Sequence, residues 1–344
     1  MPTLTASWRK IASLDTLQRS SHSLAVAGPR AYIFGGELKP RTPVDADLSV
    51  LDIADGSLST LSASTSSWPT PRVGASLTSH PATSALYLWG GRGGKDMGAL
   101  TSDSGTIWKF DVSEGKWDEV NTEGERPEGR SYHTMCAVND TLYLHAGCPS
   151  SGRLSTLHSL SLSSLTWSTL PSAPEPGRGG TVLTALPGGR FLARFGGFAG
   201  YELGGLDVFD VQAQEWTSVE AHVEGGTDEP PKRSVHAFVG LRQELDLREG
   251  NKFHNDVYAL VATTPSTSSD LLPKFSWLAL SPSPSGPTPS PRGWLASALS
   301  PSGQGLVVHG GLDQRNERLG DAWVLELEVE VGTGGEGTGA RRTV

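Results

Sequence analysis

A pair of glycines that ends a short apolar strand recurs along this 344-residue chain at nearly regular intervals. The copies are YIFGGE at Gly35, YLWGGR at Gly90, a weakened LHAGC at Ala146, ARFGGF at Gly196 and VVHGGL at Gly310. The first four copies start 55, 56 and 50 residues apart, and the gap of 114 residues before the last copy has room for two repeats. A period of this size constrains the whole fold, because each repeat is one unit that must stack on its neighbours.

An arginine upstream of each copy locates the missing repeat. It precedes the first position of the pair by 16 or 18 residues in alternation, at Arg19, Arg72, Arg130, Arg178, Arg233 and Arg292. Sixteen residues after Arg233 stands Glu249, so the hidden copy reads QELDLREGN. Every second repeat also shares a short motif, which reads RSSH at Arg19, RSYH at Arg130 and RSVH at Arg233. The chain therefore contains six repeats arranged as three similar pairs.

After each glycine pair come a loop, a third strand, a turn and a fourth strand that usually carries an aromatic residue. The residues at this place are Leu58, Trp117, Trp167, Trp216 and Trp277. The sixth repeat lacks a fourth strand, whereas the N-terminal segment TASWRKIA supplies one with Trp8. Sheets packed around an axis need residues without side chains where backbones crowd, and large rings where the gap widens.

The sequence thus predicts an all-β fold, a six-bladed β-propeller whose repeats resemble kelch repeats and whose N-terminal strand completes the last blade. Closing the first sheet onto the last leaves no open edge to pair with another chain. We expect residues 1–330 to form this single propeller and the Gly-rich residues 331–344 to form a flexible tail.

Composition and charge exclude several classes of function. Lys and Arg number 28 against 37 Asp and Glu, a net charge of −9, so no overall positive field attracts nucleic acid. No apolar run is long enough for a membrane span, and the first residues lack the apolar core of a secretory signal. Two cysteines, Cys136 and Cys148, do not make a disulfide framework. We expect a cytoplasmic protein that binds neither nucleic acid nor membrane.

The topology places a candidate site at one rim of the propeller. The loops that follow the glycine pairs and those that precede the arginines face the same way, because the first two strands of each blade run antiparallel. A mouth lined by such loops is the usual place for a ligand. The rim residues are Glu37, Arg92, Cys148, Arg153, Phe198, Tyr201, Glu202, Asn251, His254, Leu312 and Asp313.

The six arginines have two interpretations. Forked guanidinium donors are suited to a carboxylate or phosphate ligand. Repetition in every blade favours the alternative, in which each guanidinium ties neighbouring blades together through carbonyls or acids. We keep Arg130 and Arg233 as candidate ligand contacts. Aromatic residues that break the repeat, Trp294, Phe198 and Tyr201, are suited to stacking on a flat ligand.

Three histidines, His22, His133 and His236, recur in alternate blades and resemble a metal triad. A propeller's inner strand turns its edge to the axis, so these rings should pack between blades rather than converge within the 2.0 to 2.1 Å that zinc needs. The residues therefore predict no metal site.

Several stretches resemble the specifier proteins of glucosinolate breakdown, which are the thiocyanate-forming, epithiospecifier and nitrile-specifier proteins. They are RSSHSLAVAG with YIFGGELKP, GRGGTVL with FGGFAGYE, and RGWLASA with GLVVHGGLDQRNERLGDAW. The resemblance implies a kelch propeller that directs an unstable aglycone to alternative products, with ferrous iron held by a Glu-x-x-x-Asp-x-x-x-His run after the fifth glycine pair. Trp294 and Arg92 match rim positions of that family.

The iron-binding run is absent from this chain. The corresponding stretch reads REGNKFHNDVY, in which Glu249 stands where the Glu belongs. His254 follows five positions later instead of eight, and Asp256 belongs to the next strand. Ferrous iron is thus implied by the resemblance alone, and we expect no cofactor.

These observations favour a specifier-like protein that binds and transforms a reactive small metabolite at the rim without metal. Elimination, rearrangement or cyclisation needs orientation and a proton carrier more than a catalytic triad, and a lyase, isomerase or cyclase is the expected class of enzyme. The expected roles are stacking by Trp294, Phe198 and Tyr201, and anion or carbonyl contact by Arg92 and Arg153, with Asp313 as a further ligand-binding candidate. Glu37, Glu202 or His254 is expected to transfer the proton.

The alternative is a protein-interaction adaptor in which the same arginine-rich rim grips an acidic peptide of a partner protein. A purely structural role ranks third.

Overall fold

The glycine-pair repeat folds into six antiparallel sheets of four main strands, counted over the part of the chain that the structure describes. The structure is a computed structural model and describes residues 3–63, 67–83, 85–100, 105–223, 229–241, 245–249, 256–262, 272–280 and 286–330. The sequence-predicted tail 331–344 lies outside these residues, as do Gly250, Asn251 and His254.

Each sheet is one blade, and its strands follow the chain from the axis outwards, except in blade 6. Blade 1 contains Ser23–Ala27, Arg30–Phe34, Leu48–Asp52 and Leu58–Leu61, and blade 2 contains Ser76–Ser79, Ala85–Trp89, Thr106–Asp111 and Lys116–Asn121. Blade 3 contains Thr134–Val138, Thr141–His145, Leu157–Ser161 and Thr166–Leu170, and blade 4 contains Val182–Ala185, Phe191–Phe195, Leu206–Asp210 and Glu215–Val219. Blade 5 contains Ala237–Gly240, Leu245–Glu249, Val257–Ala262 and Phe275–Leu280, and blade 6 contains Ala296–Leu299, Gly305–His309, Asp321–Glu330 and Thr3–Ser13.

Short elements decorate this frame. Two linkers add a parallel edge strand, Glu123–Gly124 on blade 3 and His222–Val223 on blade 5. The rim loops contain Glu37–Lys39, Thr42–Pro43, Arg72–Val73, Arg92–Gly93, Gly98–Ala99 and the 3₁₀ turn Asp15–Leu17. No helix among the described residues has the length and apolar character that crossing a bilayer requires.

The ring closes as the sequence predicts. The innermost strands contact one another in order around the axis, and that of blade 6 contacts that of blade 1. The N-terminal strand Thr3–Ser13 pairs antiparallel with Asp321–Glu330 and becomes the outer strand of blade 6. Its Trp8 is buried and meets Trp323 edge-on at 6.5 Å between ring centroids. The two ends of the chain are therefore held in one sheet.

The hydrophobic core is divided among the six gaps between consecutive blades. The outer-strand aromatics fill these gaps against the preceding blade, with Trp117 in the gap between blades 1 and 2, Trp167 between 2 and 3, and Trp277 between 4 and 5. All three are at most 3% exposed. The prediction that large rings fill the widening gaps is confirmed.

The glycine pairs connect each blade to the next through the backbone. The second residue of a pair donates its N–H to the carbonyl of the next blade's arginine at 2.8 to 2.9 Å, in the pairs Gly36 to Arg72, Gly91 to Arg130, Gly147 to Arg178, Gly197 to Arg233 and Gly311 to Arg19. Both positions of each pair have positive φ, +67° and +90° at Gly35 and Gly36. Side chains rarely adopt this conformation, which explains the repeat.

The arginine side chains bind within their own blades, which differs from the interpretation that they tie neighbouring blades together. In five blades the Nη1 donates to the first carbonyl of the glycine pair in the same blade, in the pairs Arg19 to Gly35, Arg72 to Gly90, Arg130 to Ala146, Arg178 to Gly196 and Arg292 to Gly310. The backbone carbonyl of the arginine makes the link between blades. These five arginines thus hold the glycine turns of their own blades in shape.

Hydroxyl groups connect the innermost strands. Ser23 Oγ donates to Ala75 O at 2.9 Å, and Ser76 Oγ donates to His133 O at 2.8 Å. Thr134 Oγ1 and Thr184 Oγ1 accept from backbone N–H groups of the following blade. Innermost strands of neighbouring blades do not pair as a ladder, so side-chain hydroxyls satisfy part of their backbone hydrogen-bonding capacity. The sequence analysis did not identify this role.

The three repeating histidines pack between blades, as expected. Each is at most 6% exposed and lies against the first glycine of the preceding blade's pair, His22 at Gly310, His133 at Gly90 and His236 at Gly196. Burial lowers the pKa of His133 to about 3, so its ring is neutral at physiological pH. The rings are distributed over three separate gaps.

Two glycines with the same φ test the role of the pair. Gly35 has φ +67° and a side chain there would collide with the carbonyl oxygen of Arg72, whereas Gly94 has φ +68° and open space. We expect Gly94→Ala to lower the free energy of unfolding by about 1–2 kcal/mol, from backbone strain alone. Gly35→Ala should cost at least about 2 kcal/mol more, because a backbone carbonyl cannot move aside. Equal urea-unfolding losses for both variants would contradict the packing role of the pair.

Candidate functional site

The mouth of the central channel is bordered by the residue two positions after each arginine. We call these six residues the mouth ring: Ser21, Gly74, Tyr132, Gly180, Val235 and Trp294. All six have positive φ, between 45° and 63°. Five backbone hydrogen bonds of 2.7 to 2.9 Å run from the N–H of one member to the carbonyl of the member before it. They join Ser21 to Trp294, Gly74 to Ser21, Tyr132 to Gly74, Gly180 to Tyr132 and Val235 to Gly180. The backbone here is fixed, while the residue type varies around the ring from glycine to tryptophan.

Below the mouth ring the channel contains a cavity of about 170 Å³. Its lining includes all six mouth-ring residues and the three repeating histidines. The cavity has room for a small group of atoms, and a larger ligand would rest on the mouth ring above it.

The rim loops lie where the topology places them. Single antiparallel bridges join the residue after an arginine to the residue after the glycine pair of the same blade, in the pairs Ser20–Glu37, Ser131–Cys148, Gly179–Phe198 and Gly293–Leu312. Both kinds of loop therefore share one rim.

Tyr132 is the mouth-ring residue with the most contacts on this rim. Its ring lies over Gly74, which has no side chain to obstruct it, and its hydroxyl lies 3.4 Å from Ser21 Oγ of blade 1. The guanidinium of Arg92 lies 5.8 Å from the ring centroid. Burial raises the pKa of Tyr132, and the neighbouring Glu37 and Cys148 raise it further, while the Ser21 hydrogen bond and Arg92 act in the opposite direction.

Arg92 and Glu37 are both engaged by neighbouring blades. Arg92 Nε donates to Ser131 Oγ at 2.8 Å. Glu37 Oε1 pairs with Arg318 Nη2 at 3.3 Å across the seam between blades 1 and 6, and its Oε2 accepts from the backbone N–H of Arg41 at 2.7 Å. A carboxylate with both oxygens occupied is suited to a fixed negative charge rather than to proton transfer.

On the other side of the mouth, side chains of blades 3, 4 and 5 meet. The guanidinium of exposed Arg153 lies 5.0 Å from the ring centroid of half-buried Phe198. Tyr201 is 59% exposed. Among the described residues only two large hydrophobic side chains are exposed, and Tyr201 is the more exposed of them. Glu202 Oε1 accepts a hydrogen bond from Ser234 Oγ at 3.1 Å. This carboxylate is half-buried and lies at the seam between blades 4 and 5.

The carboxylate of Asp313 stabilises the loop in which this residue lies. Its Oδ1 accepts from the backbone N–H groups of Arg315 and Glu317 at 2.8 and 2.9 Å. Such an arrangement shapes a turn. Trp294, half-buried in the mouth ring, neighbours Ser21 through its carbonyl.

Arg130 and Arg233 lie beneath the rim, at most 1% exposed. Arg130 donates to the carbonyls of Glu128 and Ala146 and to Thr156 Oγ1, and burial lowers its pKa to about 10. Arg233 binds Asp256 through two hydrogen bonds, of 3.2 and 2.9 Å.

The residues for an iron site are not assembled in the described part of the chain, where no three His, Cys, Asp or Glu side chains cluster suitably for a metal ion. Asp256, a carboxylate of the stretch that corresponds to the family's iron-binding run, has each oxygen hydrogen-bonded by Arg233. His254 lies outside the described residues. The donor set that is described does not fit ferrous iron.

The structure brings together Glu37, Arg92 and Trp294 with residues that sequence reasoning did not select. These are Ser21, Tyr132 and Arg318. Trp294 stands out in the sequence because it breaks the repeat two positions after an arginine, and Tyr132 stands at the same place in its own repeat. Only the pairing of Arg318 with Glu37, 281 residues apart, has no signal in the sequence.

The sequence profile of the KLHDC2/KLHL20/DRC7 Kelch-repeats domain matches residues 21–248. The chain belongs to the Kelch-repeat family.

Curated relatives include enzymes and multidomain proteins. N-(sulfonatooxy)prop-2-enimidothioate sulfolyase of Thlaspi arvense is 27% identical over 267 residues, which cover 69% of this chain and 73% of that protein. Adagio-like protein 1 of Oryza sativa subsp. japonica is 28% identical over 253 residues, 68% of this chain and 39% of the relative. Acyl-CoA-binding domain-containing protein 4 of Arabidopsis thaliana is 31% identical over 229 residues, 65% of this chain and 33% of the relative. The chain thus spans well under half of the latter two.

Arg130 and Arg153 separate a structural role from a ligand role. Arg130→Ala leaves the buried Ala146 carbonyl and Thr156 hydroxyl without their donor, so we expect the free energy of unfolding to fall by about 3 kcal/mol. Arg153→Ala removes an exposed side chain and should change it by less than about 0.5 kcal/mol. Chemical denaturation of both variants measures the difference. An Arg130→Ala variant as stable as the wild type would contradict the structural role of Arg130.

Proposed function

We propose that this protein is a specifier-like kelch protein that binds and transforms a reactive small metabolite at the mouth ring. The observation that carries the proposal is the mouth itself, where a fixed backbone presents unlike side chains of distant repeats around one opening. A repeated scaffold with an irregular, half-buried mouth is typical of a binding site for one particular shape. The alignment with the Thlaspi sulfolyase, which covers most of both chains, supports the same function.

The side chains at the mouth supply two kinds of contact to a ligand, a flat apolar surface and hydrogen-bond donors. Trp294 offers an aromatic face for stacking. Arg92 and Arg153 offer guanidinium donors to an oxygen of the metabolite on two sides of the opening. The proposed proton carriers are Glu37, Glu202 and His254, of which Glu202 accepts a hydrogen bond from Ser234 Oγ at the seam between blades 4 and 5. Both oxygens of Glu37 are engaged by Arg318 and Arg41, which suits Glu37 to a fixed negative charge.

The proposal uses the chain's own groups and no metal. It is supported by the departure from the Glu-x-x-x-Asp-x-x-x-His spacing and by the engagement of Asp256 with Arg233. A reaction that leads an unstable intermediate to one product depends mainly on orientation, which a rigid mouth supplies.

A test is incubation of the purified protein with a metabolite extract of its source, followed by mass spectrometry of bound and converted compounds. We expect a retained or converted metabolite with the wild type. Trp294→Ala should reduce its retention at least ten-fold, because the stacking face is lost. Arg315→Ala, which removes an 81% exposed side chain of the outer rim, is the matched control and should behave as the wild type. Retention unaffected by Trp294→Ala would contradict the assignment of the site.

An adaptor function is the second candidate. The stretch that aligns with this chain covers 33% of the acyl-CoA-binding domain-containing relative of Arabidopsis, which is compatible with use of such a domain as one module among others. The two exposed large hydrophobic residues of the described chain, Leu38 and Tyr201, both lie on rim loops. Affinity capture distinguishes the two functions. The adaptor is favoured if a partner protein is captured in stoichiometric amount, if Tyr201→Ala abolishes that capture, and if no metabolite is retained.

A further inference from the structure

The mouth has a polar side and an apolar side. Around the ring, Tyr132 and Ser21 present hydroxyl groups on either side of Gly74, and Arg92 lies behind the ring of Tyr132. Val235 and Trp294 occupy the opposite arc of the same ring. All four mouth-ring side chains line the cavity beneath the opening.

The Tyr132 hydroxyl is held weakly inside the protein. Its distance of 3.4 Å from Ser21 Oγ is long for a hydrogen bond between two oxygens, whose usual value is about 2.7–2.8 Å. A phenol held this loosely gains by donating to a better acceptor on a ligand. Gly74 leaves the space that lets the ring lie across blade 2 towards blade 1, so the hydroxyl stands at the opening.

Arg92, whose guanidinium lies over the Tyr132 ring, offers a ligand only donors, and the negative charge of the neighbouring Glu37 is paired with Arg318. The Nε of Arg92 is already directed to Ser131. Burial raises the pKa of Tyr132, so the phenol stays protonated at neutral pH and acts as a donor. The complementary ligand atom is therefore an electron-rich oxygen.

We propose, as an extension of the proposed function on which it rests, that Tyr132 is the residue that selects the ligand, donating its hydroxyl proton in a hydrogen bond to a phenolate, enolate or carbonyl oxygen of a flat small molecule that stacks on Trp294. Tyr132 thus recognises the oxygen and Trp294 the ring. Arg92 supports the bond from behind, since a positive charge near an oxygen anion strengthens it.

The probe for this inference is para-nitrophenolate, a flat ring with one phenolate oxygen whose absorption band shifts when that oxygen accepts a hydrogen bond. It is titrated into the full chain at a pH where the probe is ionised, and both the dissociation constant and the band position are recorded. Tyr132→Phe removes only the hydroxyl. We expect it to weaken binding at least ten-fold and to return the band of the bound probe towards its position without a donor.

Tyr143→Phe is the matched control, because it makes the same change at a tyrosine of the same blade that packs in the core between blades 3 and 4. It should leave both readouts unchanged. Ser21→Gly removes the internal acceptor of Tyr132 and keeps a residue that tolerates the φ of +56°. We expect this variant to bind the probe about two- to three-fold more tightly than the wild type, with the band shift retained. A purely structural tyrosine would not give this gain.

Melting temperatures of all variants show whether a loss of binding reflects unfolding. If Tyr132→Phe is unstable, the affinity of Ser21→Gly for the probe tests the inference instead. A wild type that does not bind the probe, a band shift retained in Tyr132→Phe, or binding by Ser21→Gly that is no tighter than that of the wild type would overturn the inference. If metabolite retention persists in any of these cases, the proposed function stands without it. Loss of both probe binding and metabolite retention would overturn the two together.

Discussion

The fold depends on one hydrogen bond that repeats at the five junctions between blades that the structure describes, from the N–H of the second residue of a glycine pair to the carbonyl of the next blade's arginine. The donor must lie in a backbone conformation with positive φ, and a side chain on the first glycine, such as Gly35, would collide with that carbonyl. The guanidinium of the arginine then binds the first carbonyl of its own pair, as Arg19 binds Gly35. One arginine thus holds its own turn through its guanidinium and accepts the N–H of the preceding blade's turn through its backbone carbonyl, and the junction is still made where Ala146 replaces the first glycine.

This junction also explains why the mouth can vary. The mouth-ring backbone is fixed by the hydrogen bonds between blades, so the side chains there do not carry the fold. Gly74 and Gly180 leave space into which Tyr132 and Val235 of the next blade extend. The alternation of small and large residues in these blades is the packing consequence of a narrow opening. Function can therefore change at Tyr132 or Trp294 while the scaffold stays the same.

The sequence predicts the architecture because glycine pairs, arginines and aromatics are each required by local geometry. It even places Trp8 correctly, since a sixth sheet without a fourth strand must take one from the N-terminus. It predicts less of the site. Whether Glu37 is available depends on Arg318 of another blade, and whether the arginines tie their own blade or the next depends on side-chain direction. Spacing in a sequence fixes which loops meet but not which atoms meet.

Amide hydrogen exchange at Gly36, Gly91, Gly147, Gly197 and Gly311 tests the closed ring most directly, because each of these N–H groups makes one junction between blades. If the junctions act together, all five amides exchange only through global unfolding. Their opening free energies then agree with one another and with the free energy of unfolding from denaturation. Exchange of any one of them at a clearly lower free energy would mean that a blade separates on its own, and the ring would not be the single unit described.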